Sequence, residues 1–390
     1  MKILIVEDNQ DKLKSIKSAL DEINTHISIT ECGSIVDFVS IINRETFDLV
    51  VADLVLPVFG NETDDPKDVT STLIEKIRDY ESKNYKTPVI AITQYLDSAE
   101  TNFSDLNRHD INVITYKPES HEWKSAFIRK VESCIPKLIY DFIIICALQK
   151  EADAFIEAGY IEDNSDVKFG LSFRYITIDE KKGLIIVPPR MGLVNSSIAS
   201  ARAIELFEPK IICMSGICAG IEGKADIYDI VIPSQCDQHD AGKWTSQGFV
   251  PESYSIPLSH ETQTKIEQII TRQDFKKAIA ENVSLSRTEM IGDSSKLNIK
   301  IYTAPTSSGS SVIADDTMLS QITAQHRKKT AFEMESYALY EAARQSPHQP
   351  IYFSAKAVVD NGDSNKGDEY HRVAALVSAK AVYELLRRLL

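Results

Sequence analysis

The chain has 390 residues, 43% of them hydrophobic and 26% charged, a globular composition long enough for two or three ordinary domains. The net charge of −14 and the absence of a basic stretch argue against a nucleic-acid-binding output. No apolar run approaches the ~20 residues that span a bilayer, and the opening MKILIVEDN lacks a signal-peptide layout, so a cytoplasmic protein without a membrane partner is expected.

Apolar strands and amphipathic helices alternate from the start, a pattern that predicts parallel sheets covered by helices, an α/β fold. In the first part, strands are predicted at 3–6, 27–31, 49–52, 89–93 and 112–116, with a helix carrying Leu13, Ile16, Leu20 and Ile23 on one stripe. This is the order of a five-stranded doubly wound sheet. Residues 60–70 are polar and turn-rich and read as a long loop. A helix at 123–135 closes this part, and a hinge at 136–140 sets the boundary near 138. The second part has strands near 142–147, 184–187, 211–215, 230–233, 299–304, 331–334 and 352–359, and a closing helix at 370–389. Cys32, Cys134, Cys146, Cys213, Cys218 and Cys236 form no C-x-x-C pair, so reduced thiols are expected and no zinc site.

The first part places five polar residues at the carboxyl ends of its strands: Glu7 and Asp8 after the first, Asp53 after the third, Thr93 at the end of the fourth and Lys117 after the fifth. Strand ends of a parallel sheet share one rim, so these residues converge. Three carboxylates there repel one another unless a cation binds them, and Mg²⁺ prefers oxygen ligands. Asp53 is then placed to attack a phosphoryl donor, with Lys117 offsetting charge on the phosphoryl oxygens.

This constellation resembles the receiver domain of bacterial response regulators, a flavodoxin-like (βα)5 fold, over residues 1–137. The resemblance implies that Asp53 is the phosphoacceptor, that Glu7, Asp8 and Asp53 hold Mg²⁺, that Thr93 and Lys117 are the switch residues, and that a histidine kinase or phosphotransfer protein acts upstream. The family's switch aromatic falls at Ile114 here, and Tyr116 alternates to the other side of the strand. Output is therefore expected through the sheet edge and flanking helices, by dimerisation.

In the second part, three segments carry acids at strand ends: ICALQKEADAF with Glu151, FEMES with Glu335, and AKAVVDNGD with Asp360. MSGICAG adds small residues, Gly216 among them, where a backbone can approach a ligand. Three such acids suit N-glycosidic cleavage. One protonates the departing purine, one activates water, and one holds the ribose hydroxyls. Read alone, a strand-end Asp is more often a helix cap or loop residue, and Glu151 is equally a favourable acid at a helix N-terminus.

Residues 141–390 resemble the purine nucleoside phosphorylase/nucleosidase superfamily, and within it the methylthioadenosine/S-adenosylhomocysteine nucleosidases. The matching pieces, in order, are ICALQKEAD, MGLVNSSIAS, MSGICAG, ADIYDIVIP, QHDAG, SSGSSVIAD, FEMES and AVVD. The resemblance implies Asp360 as the purine-protonating acid, Glu151 as the water-activating base, Met334 and Glu335 at the ribose, and Val312 and Ile313 against the base. It implies no cofactor for this domain. The family's phosphorylases carry a glycine-rich G-D-P segment where this chain has ALQKE, which favours hydrolysis. Ile217 stands where the family often has a small hydroxyl residue, and Val312 where it often has a stacking aromatic. Arg190, Lys243 and Lys356 are candidates for binding a phosphorylated 5′ group.

The two parts together resemble the effector of the Detocs antiphage two-component system. This implies a phosphorylation-gated homo-oligomer that cleaves ATP to adenine and ribose 5′-triphosphate. Two other readings stay open: a regulated nucleosidase or phosphorylase for methylthioadenosine, adenosine or AMP, and a non-catalytic ligand-sensing module.

Overall fold

The computed structural model describes residues 1–23, 26–60, 64–135, 138–292, 294, 296–362 and 368–390. The chain divides into two compact units, Met1–Lys137 and Leu138–Leu390. The start of the expected hinge, 136–137, and residues 61–63 of the expected loop lie outside the described residues.

The first unit is built on a five-stranded parallel sheet in the order Ser28–Cys32, Lys2–Val6, Leu49–Ala52, Val89–Thr93, Ile111–Thr115. Each strand lies within a residue or so of its expected place. Side chains alternate across a strand, so a sheet buried on both faces needs apolar residues at nearly every position. Ile3 and Ile5 pack with Leu13, Ile16, Trp123 and Phe127 from the helices Gln10–Leu20 and Glu122–Ser133. Leu4 and Val6 pack on the other face with Phe38 and Ile42 of the helix Ile35–Arg44 and Leu73 of Thr70–Ile77. The expected loop at 60–70 ends in a short strand, Lys67–Asp68, antiparallel to Val55–Leu56.

The second unit departs from the all-parallel expectation. Its sheet is mixed, and five of its strands close into a ring: Ile230–Gln238, Ile301–Ser308, Ala331–Glu333, Ile211–Gly220 and Ile351–Asp360, the last pairing back to the first. Val231, Ala304, Ala331, Cys218 and Val358, one from each strand, form a buried cluster of small side chains, as a narrow closed sheet requires. From Ile211–Gly220 the sheet continues through Phe142–Cys146 and Lys181–Val187 to the antiparallel strands Leu171–Ile178 and Ser165–Lys168. Those two outer strands, with the hairpin Gly242–Thr245/Gly248–Pro251 and the strand Tyr254–Pro257, were not expected from the sequence. The helix His371–Leu389 is buried along most of its length and packs on the ring strands. Its Ser378 hydroxyl donates to Ala355 O and accepts the Gly216 N–H, both at 2.8 Å, so a polar group inside the core is satisfied. Among the described residues, no helix is long and apolar enough to cross a membrane.

Candidate active site and acid pocket

The strand Phe142–Cys146 runs into the helix Gln149–Glu157, and Glu151 is that helix's third residue. An acid at this position favours the helix N-terminus. Glu151 Oε2 accepts the Leu148 N–H at 2.9 Å, while Oε1 accepts the Ile217 N–H at 3.0 Å. Gly216 makes this possible, because a Cβ there would overlap the Glu151 carboxylate. Burial, partly offset by Lys356 and the two amides, lifts the Glu151 pKa from 4.5 to about 7.

Asp360 ends the strand Ile351–Asp360. The pairing with Ile211–Gly220 runs in register to Cys218 opposite Val358, then steps so that Ala219 faces Asp360. Val359 is the extra residue of a bulge, a device that re-aims the side chain following it. Asp360 Oδ1 accepts the Gly362 N–H at 2.7 Å. Gly362, at φ +69°, leaves room for the Phe332 ring, which any Cβ there would strike.

Glu333 and Glu335 flank Met334 at the end of Ala331–Glu333. Glu335 Oε1 accepts the Gly192 N–H at 3.1 Å. Glu333 accepts the N–H groups of Glu335 and Ser336 at the start of the helix Ser336–Gln345, a capping role. Lys356 lies buried between them, its Nζ 2.5 Å from Glu333 Oε2 and 2.7 Å from Glu335 Oε2. Burial alone would lower the Lys356 pKa, but the two carboxylates outweigh it and hold the ammonium charged.

These acids meet in one cavity of ≈ 350 Å³, lined among others by Glu151, Ile217, Ile313, Phe332, Glu335 and Asp360. Met334 and Val312 also line it, Val312 being 52% exposed. Gly216 acts from behind, through Glu151. The three expected basic residues do not line this cavity. Lys356 is committed to Glu333 and Glu335, and Arg190 and Lys243 are exposed and outside the lining. Among the described residues, the basic side chains lining the cavity are Lys150 and His371, which contact each other. Lys150 was hidden in the sequence as an ordinary helix-start lysine, and His371 as the first residue of the closing helix. Phe332 supplies an aromatic wall, packed with Ile313, that no sequence motif marks.

In the first unit, Asp53 and Glu7 are buried at the strand ends, with Asp8 half-buried beside them. Asp53 Oδ1 accepts the Leu54 N–H at 2.6 Å, and Glu7 Oε1 accepts the Asn9 N–H at 3.0 Å. The remaining oxygens face Lys12 of the helix Gln10–Leu20, whose Nζ lies 2.5 Å from Asp53 Oδ2 and 2.7 Å from Glu7 Oε2. Burial raises the pKa of Glu7 to about 7 and raises that of Asp8, so the pocket disfavours additional negative charge. Thr93 is buried, its Oγ1 accepting the Tyr95 N–H at 3.1 Å. Lys117 is exposed, and the ammonium against Asp53 belongs to Lys12. Tyr116 is buried on the helix side, its ring 5.7 Å from Lys12 Nζ. A divalent cation shared by Glu7 and Asp53 would have to displace the Lys12 ammonium, which already stands against one oxygen of each carboxylate. Among the described residues, no group of three His, Cys, Asp or Glu side chains is arranged to hold a metal ion.

Comparison with known proteins agrees with the architecture of the second unit. Solved methylthioadenosine/S-adenosylhomocysteine nucleosidases from Helicobacter pylori and Colwellia psychrerythraea superpose with a TM-score of 0.51 each, at 17% and 19% identity, over 64% and 65% of this chain and 99% and 98% of theirs. They share the fold. The ATP nucleosidase Cap17 of Escherichia coli (strain KTE188) is 22% identical over 249 residues, 61% of this chain and 49% of that one. The match therefore spans about half the length of Cap17. The uncharacterized protein y4jS of Sinorhizobium fredii (strain NBRC 101917 / NGR234) is 23% identical over 99% of both chains. The model of the Phosphorylase superfamily matches residues 141–390, and the chain belongs to that superfamily.

Proposed function

We propose that the second unit is an N-glycosidase that hydrolyses the bond between adenine and ribose in an adenine nucleotide, with ATP as its substrate. The observation that carries this reading is the convergence of Glu151, Glu335 and Asp360 on one cavity with an aromatic wall. Asp360 donates a proton to purine N7 as the C1′–N9 bond breaks and its electron pair moves onto the base. The Glu335 and Glu151 carboxylates face the cationic sugar that forms. Glu151, its pKa near neutrality, takes a proton from the water whose oxygen bonds to C1′. Met334 and Glu335 hold the ribose, and Ile313 and Phe332 hold the base.

ATP is favoured by the likeness to Cap17 and by Lys150 and His371 at the cavity. The apolar lining from Leu148, Met191 and Ile217 favours a second reading, a nucleoside with an uncharged 5′ group. Base release from ATP, AMP, adenosine and methylthioadenosine, with and without inorganic phosphate, separates the two. Adenine from ATP independent of phosphate is expected. Release only from an unphosphorylated nucleoside would replace ATP with the second reading, and a requirement for phosphate would replace hydrolysis with phosphorolysis.

The first unit, in this proposal, is a receiver whose Asp53 accepts a phosphoryl group from a histidine kinase or phosphotransfer protein and gates the enzyme in a homo-oligomer. Its buried Asp53 at a strand end of a 2-1-3-4-5 parallel sheet supports the assignment. The proposal extends to antiphage defence, the role implied by the sequence's resemblance to the Detocs effector, in which unregulated ATP loss would harm the host and a gate is required.

A further inference from the structure

Among the described residues, Lys12 is one of the largest fully buried side chains, at 2% exposure. A lysine is buried this far only when its charge is paired, and here both partners are carboxylates from the sheet's carboxyl edge. Tyr116 borders the ammonium and donates its hydroxyl to Ser15 on the same helix, which encloses the lysine from the side of the fifth strand. Three of the four oxygens of the Glu7 and Asp53 carboxylates thus accept a hydrogen bond inside the protein, from Asn9 N–H, Leu54 N–H and Lys12, while the fourth, Glu7 Oε2, accepts none and lies 2.7 Å from Lys12 Nζ as an ion pair.

We propose that Lys12 is the resident cation of this pocket, a built-in ammonium that excludes a divalent metal from Glu7 and Asp53. Mg²⁺ demands its oxygen ligands at about 2.0–2.1 Å in near-octahedral geometry, and an ammonium bridging the same oxygens blocks that. Two cations cannot share one pair of carboxylate oxygens without strong repulsion at low dielectric. A metal could enter only if the whole lysine side chain left the core, against its own burial and both ion pairs. One negative charge of the pocket is thereby offset by a group that cannot diffuse away. Any anion that reaches Asp53 Oδ2 meets a fixed ammonium there.

The inference concerns the same pocket as the receiver assignment, but it rests on charge placement and not on phosphoryl transfer, so either can fail alone. Its test is Mn²⁺ uptake by the full-length chain, counted by loss of the free-ion electron paramagnetic resonance signal. Wild type is expected to show no site that depends on Asp53. Lys12→Met removes the ammonium but keeps the buried stem, and is expected to gain one Mn²⁺ per chain, bound at least about tenfold tighter than by wild type. Lys12→Met/Asp53→Asn is expected to lose that site, and Lys12→Arg, which retains a cation, to resemble wild type. If Lys12→Met folds only when Mn²⁺ or Mg²⁺ is present, the metal is replacing the ammonium and the proposal stands. Uptake of one Mn²⁺ by wild type that Asp53→Asn abolishes would overturn it, as would a folded Lys12→Met chain that binds none.

Discussion

Gly216 and Glu151 show how a single missing Cβ can matter to chemistry. The Glu151 carboxylate occupies the space that a side chain at Gly216 would fill. Gly216→Ala is expected to push that carboxylate off its two amides and reduce kcat by ~10²-fold, with the thermal midpoint changed far less than the rate. Lys356 is a different case, since removing it strands Glu333 and Glu335 as buried charges. Lys356→Met is expected to cost about 3–5 kcal/mol in denaturant unfolding. The raised pKa of Glu151 fixes a sign. Its basic form accumulates as pH rises through about 7, so kcat should rise with pH below that point and level above it. The same shift makes folding weaker in the same direction: stability present below 4.5 is lost as pH rises through about 7. A pH–rate profile checks the first statement, and Glu151→Gln should remove the inflection.

At the scale of elements, Asp360 depends on a bulge. A one-residue slip turns every following side chain to the other face of a sheet. Deleting Val359 would restore regular pairing with Ile211–Gly220, and is expected to turn Asp360 out of the cavity and abolish base release while the fold survives by circular dichroism. Much of this level was legible in the sequence. Continuous apolar runs marked the buried parallel strands, and the strand-end rule placed Glu151, Glu335 and Asp360 together. The bulge was not legible, because Cys218 and Val359 carry no signal that their strands will fall out of step. The outer antiparallel strands were missed for a local reason. Phe169 and Gly170, both at positive φ, make the two-residue turn between Ser165–Lys168 and Leu171–Ile178, and Phe is not a residue that announces such a turn. Lys12 and Lys356 were misread or passed over for a common cause. Pattern reading treats a lysine as a surface charge, and only tertiary packing reveals which one is enclosed between carboxylates.

At the scale of the whole molecule, each unit has its own hydrophobic core, one built around the Lys2–Val6 sheet and one around Phe142–Cys146 and the helix His371–Leu389. The proposed gate makes a prediction that joins them in function. A small-molecule phosphoryl donor is expected to raise base release by the full-length chain several-fold, and Asp53→Asn to remove that stimulation while leaving the resting rate. Equal stimulation of both would detach Asp53 from regulation without touching the catalytic reading.

That catalytic reading is the central claim, and chromatographic measurement of free adenine from ATP tests it most directly, with wild type beside Asp360→Asn. Wild type is expected to release adenine and ribose 5′-triphosphate, and Asp360→Asn, which lacks the carboxylic acid, to do so ~10²–10⁴-fold more slowly. Adenine released equally fast by both chains, or by neither from any adenine nucleoside or nucleotide, would contradict the claim.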